Sequence, residues 1–120
     1  MKPVLMVLAF LGVAGAACAQ NAPAPAPCTA SPAAIREMRH QLGLVATRAI
    51  AYFRSADSIE ESLEEHGATL HPDIVSLGLR LEAALDETEK ATNQCDLAMA
   101  GKALERARAL LDRFAAKLGG

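Results

Sequence analysis

A chain of 120 residues carrying 12 basic and 14 acidic side chains is long enough for one small domain, and too evenly charged to show the basic footprint of a nucleic-acid binder. Three phenylalanines, one tyrosine and no tryptophan argue against a platform on which sugars or bases would stack.

The first stretch reads as a secretory signal peptide, residues 1–19. Lys2 supplies a short positive n-region, residues 4–13 are apolar apart from Gly12, and small residues lead to Ala17-Cys18-Ala19. The run is shorter than the roughly 20 residues a spanning helix requires, and its Ala-x-Ala spacing places cleavage after Ala19. The alternative is a lipoprotein signal in which Cys18 bears the lipid. Against it, Gly15 stands where such signals usually carry a branched apolar residue. Either reading implies export, with the periplasm of a Gram-negative bacterium as the expected compartment. Of the 12 basic residues only Lys2 lies in this leader, leaving 11 against 14 acids, a net charge of −3.

Residues 20–30 form a linker in which Ala-Pro occurs three times. That composition favours an extended, polyproline-like spacer. The helical domain is expected over residues 31–120. Ser31-Pro32 is a helix start, with serine as N-cap and proline at the first helical position. From there apolar residues recur at steps of three and four: Ile35, Met38, Leu42, Val45, Ala49, Tyr52, Ala56, Ile59, Leu63 and His66. Leu44, Ile50 and Phe53 widen the stripe, implying contact with more than one neighbour. Gly67 is the expected C′ residue.

Pro72 and Asp73 open the next helix, whose stripe runs through Ile74, Leu77, Leu81, Ala84, Thr88, Ala91 and Cys95. Asn93 is placed to end that helix and Asp96 to cap the third. The third stripe is Leu97, Ala100, Leu104, Ala107, Leu111, Phe114 and Leu118. Residues 74–118 are therefore expected to be an antiparallel hairpin. Small residues at Ala98, Ala103 and Ala107 give it a likeness to a helical-repeat unit, but one hairpin does not make a stacked array.

The fold expected is all-α, an antiparallel three-helix bundle. Helix lengths introduce a conflict, because residues 32–66 as one helix would rise about 51 Å against about 33 Å for 72–94. Ser58 with Glu61 forms a capping box within the first run, so a bend or break is expected at 55–58, with a possible short fourth helix after it. An unbroken register through Ala56 argues the other way. If the first helix is continuous, roughly ten residues outrun the hairpin, and the apolar overhang invites dimerisation.

Export makes the cysteines informative. The mature chain retains Cys28 and Cys95, and an oxidising compartment favours their pairing as a disulfide at one end of the bundle. Charge is unevenly distributed: Arg36, Arg39, Arg48 and Arg54 share their stretch with Glu37 alone, whereas Asp57, Glu60, Glu61, Glu64 and Glu65 have no base among them. Solvated faces account for this, and complementary helix faces would too.

No catalytic trio converges from His40, His66 and His71, the only side chains with an ordinary pKa near neutrality. His66 and His71 flank the Gly67 loop and could hold a metal with Glu65 or Asp73, though their spacing is not that of a defined site. Met38, Met99 and His40 fall toward the cysteine end, and such side chains serve as copper or haem ligands. In size, compartment and helix layout the chain resembles the small soluble b-type cytochromes of the periplasm. Those proteins use a methionine early in the first helix and a histidine late in the last. Here the last helix carries Asp112-Arg113-Phe114 and no histidine, and no Cys-x-x-Cys-His is present. The methionines are expected to pack in the core.

No P-loop, glycine-rich nucleotide turn or paired inward carboxylates can be assembled. The sequence therefore points to a non-enzymatic module without a cofactor, which binds a protein partner or associates with itself. A small-molecule, haem or metal carrier is the alternative.

Overall fold

The structure, a computed structural model, describes residues 28–119; the stretch read as a signal peptide, the alternative of lipid attachment at Cys18 and most of the expected linker lie outside them. Three α-helices follow in order: α1 (Pro32–Glu65), α2 (Pro72–Asn93) and α3 (Leu97–Gly119). All three pairs pack together, the α2–α3 hairpin most extensively.

Each boundary has a local cause. Ser31 Oγ accepts a hydrogen bond from the Ala34 amide at 3.1 Å, and Pro32 occupies the first turn of α1. The helix ends in a Schellman motif: Gly67 takes φ +72°, and the Ala68 amide donates to the Leu63 carbonyl at 2.8 Å. At the start of α2 the Asp73 amide donates to His71 Nδ1 at 3.1 Å, so histidine serves as N-cap. Asp96 Oδ1 accepts from the Met99 amide at 3.1 Å and caps α3 as expected.

Helix α2 ends at Asn93 as expected, and the left-handed position falls two residues later, at Cys95 with φ +61°. The Asp96 amide donates to the Ala91 carbonyl at 2.8 Å, the same closure that Gly67 provides for α1. A non-glycine residue there costs about 1 kcal/mol. Cys95 accepts this conformation while bonded to Cys28, with a Cα separation of 5.4 Å.

The break expected at 55–58 is not observed, and no fourth helix forms among the described residues; α1 is one helix of 34 residues. Ala56 is buried within that segment. Its apolar register outweighs the local capping signal of Ser58 and Glu61. The disulfide and the unbroken helix coexist because the loop 66–71 absorbs the difference. With their ends pinned together near Cys28 and Cys95, α1 outruns α2 by about 18 Å at 1.5 Å per residue. Seven chain steps from Glu65 to Pro72 reach up to about 23 Å at ~3.3 Å each. The chain turns at Gly67 and runs back down, with Leu70 packed against the core.

That core is built from Val45, Ala49 and Ala56 of α1, Leu77, Leu81 and Ala84 of α2, and Leu104, Ala107, Leu110, Leu111 and Phe114 of α3. Alanines at the hairpin contact let α2 and α3 approach closely. Thr88 and Thr92 are also buried, and their hydroxyls donate back to the Ala84 and Thr88 carbonyls at 2.8 and 2.7 Å. Each hydroxyl is thereby satisfied without a partner on another helix. Leu44 and Ile50, expected to widen the buried stripe, remain half-exposed. Phe53 does reach two neighbours, its ring 5.3 Å from that of Phe114 and beside Gly78.

A Cβ added at Gly78 would stand 3.3 Å from Phe114 and 3.5 Å from Phe53, whereas one at Gly43 would meet nothing within 4 Å. Helix propensity favours alanine over glycine by about 1 kcal/mol at either site. Gly43→Ala should accordingly raise the denaturation midpoint. Gly78→Ala should lower it, because the paired rings must shift in a close-packed core. Equal gains at the two positions would show that the rings yield freely.

Candidate functional site

The overhang of α1 creates a surface that no other part of the described chain covers. From Asp57 to His66 every side chain is exposed except half-buried Leu63. Ile59, on the core-facing stripe, is 36 % exposed. Asp57, Glu60, Glu61, Glu64 and Glu65 line the same turns, so the tip is an apolar stripe within an acidic sleeve.

At the same end, Leu70, Pro72, Val75, Ser76, Leu79 and Arg80 line a shallow depression of about 600 Å³. Val75 and Leu79 are 44 % and 62 % exposed and lie one turn apart on the outer face of α2. Ser76 and Arg80 also border a second depression, where Arg80, Arg113 and Lys117 form a basic wall beside a single acid, Asp73. Among the described residues, ion pairs join Arg48 to Asp112 and Arg106 to Glu87, and His71 Nδ1 stands 3.8 Å from the Asp73 carboxylate. None involves the five tip carboxylates or the three basic residues of that wall. Two charge sets of opposite sign thus stand at one end of the bundle without pairing to each other.

The sequence placed its candidates elsewhere. His40, His66 and His71 are all exposed. His66 Nδ1 donates to the Ser62 carbonyl at 2.9 Å, while His71 Nδ1 is taken by the Asp73 amide. Both rings serve as helix-end groups. Among the described residues no three His, Cys, Asp or Glu side chains cluster in a manner able to hold a metal. Met38 packs against the core, whereas Met99 is 46 % exposed and His40 is at the surface. Cys28 and Cys95 are joined. No helix among the described residues is long and apolar enough to cross a membrane.

Sequence reasoning passed over Val75, Leu79 and the Arg80, Arg113 and Lys117 wall. A signal was present, since Val75 and Leu79 are large apolar residues outside the stripe that starts Ile74, Leu77, Leu81. The basic wall had no comparable signal, because it draws on two helices whose rotation about their axes the sequence does not specify.

Comparison with protein-family models, with characterised proteins and with solved structures finds no match to this chain.

Proposed function

We propose that the protein is a non-enzymatic interaction module of the bacterial envelope, exported by its leader, held on an Ala-Pro spacer and working through the end of the bundle opposite the disulfide. The observation carrying this reading is the apolar exposure at that end of Ile59 on α1 and of Val75 and Leu79 on α2, set among charged residues. The polar residues near it line open depressions and converge on no enclosed cleft of the kind a small substrate needs. The leader and the cysteine pair support placement in an oxidising compartment.

Site-specific photocrosslinking in intact cells tests the reading. A crosslinking residue at Leu79 should yield protein adducts, while one at Lys102, exposed near the disulfide end, should yield far fewer. Equal labelling at both positions, or none at either, would overturn it.

A further inference from the structure

We infer that the surface at the loop end receives a second copy of this chain: in a two-fold, tip-to-tip dimer, the acidic α1 tip of each copy lies on the Arg80, Arg113 and Lys117 wall of the other. This rests on the interaction reading above and names its partner. The case begins with the two unpaired charge sets. Among the described residues, five carboxylates without an ion-pair partner line the tip, and three cations likewise unpaired share the wall with the single acid Asp73. The tip projects about 18 Å past the hairpin, out along the bundle axis and away from its own wall.

A two-fold axis perpendicular to the bundle, passing beside the overhang, turns a second copy upside down and brings its wall alongside the first copy's tip. The same operation delivers the first copy's wall to the second tip, so one contact made twice pairs both charge sets. It also lays the two overhangs antiparallel, which gives Ile59 and Leu63 a neighbour, and brings Val75 and Leu79 toward the covered face. An anionic membrane would repel the tip, and a purely basic or purely acidic partner would satisfy only one of the two sets. The apolar area available is small, so the dimer belongs to the weak, reversible class, with rim charges governing its partner choice and salt dependence.

The experiment is sedimentation equilibrium on the oxidised mature protein and two charge-reversal variants. One carries Glu60→Lys with Glu64→Lys on the tip, the other Arg113→Glu with Lys117→Glu on the wall. All four positions are exposed, and thermal melts of each variant check that the fold persists. The native chain should dimerise reversibly and dissociate as salt is raised. Each variant alone should associate at least about tenfold more weakly, as expected for like charges set face to face. An equimolar mixture should recover the dimer, because each tip then meets a wall of opposite sign. A native chain that is monomeric at all attainable concentrations overturns the inference and leaves binding to a different protein intact. Dimerisation indifferent to both reversals, or a mixture that stays monomeric while the native chain dimerises, overturns it as well.

Discussion

Cys95→Ser is expected to lower the melting temperature by on the order of 20 °C, and reductant should do the same to the native protein. The cysteines are separated by 67 residues. In the chain-entropy account, closing a loop of that size removes about 4 kcal/mol of disorder from the unfolded state. For a domain under 100 residues each kilocalorie corresponds to roughly 4–8 °C. The bond also ties the start of α1 to the α2–α3 turn, the place where the longest helix would otherwise fray. Cys95→Gly separates the bond from the backbone: it loses the disulfide equally but adopts φ +61° at little cost, so it should be more stable than Cys95→Ser by about 1 kcal/mol and melt correspondingly higher. Calorimetry of the three proteins, with and without reductant, checks all of this. A native melting temperature that ignores reductant would show that the link contributes little.

Phe114→Ala should cost about 3–5 kcal/mol, the largest loss from any single truncation in this core. Phe114 is 2 % exposed, packs against Phe53 and fills the space left open at Gly78. No other aromatic ring is fully buried among the described residues. Chemical denaturation should show a reduced midpoint with an unchanged slope. By contrast, removing the exposed Arg48–Asp112 pair, at 4.0 Å, should change stability by less than about 1 kcal/mol.

The hairpin was legible because its two stripes, from Ile74 and from Leu97, keep one register from end to end and Asp96 caps in sequence as it does in space. The start of α1 at Ser31 and its end at Gly67 were legible for the same reason, being decided by residues within one turn. The continuity of α1 was not. Its capping box at Ser58 and Glu61 is a local signal, and only the long-range balance between an 18 Å overhang and a loop able to retrace it settles the matter. The role of Cys95 as a left-handed cap was hidden too, since nothing local favours cysteine there and its reason sits 67 residues away. The charged and apolar surface at the loop end arises from helix rotation, on which the stripe of each helix taken singly has no bearing.

The covalent link has a mechanical side. A pull applied between the chain ahead of Cys28 and the far end of α3 enters at Cys28, crosses the sulfur bridge to Cys95 and passes directly into α3. Helices α1 and α2 lie outside that load path, as a closed loop hung beside a taut line. The chain between the cysteines, worth about 230 Å at ~3.5 Å per residue, stays unextended while the bond holds. Reduction puts that length back in series, so the redox state of one bond sets how far the molecule yields under tension.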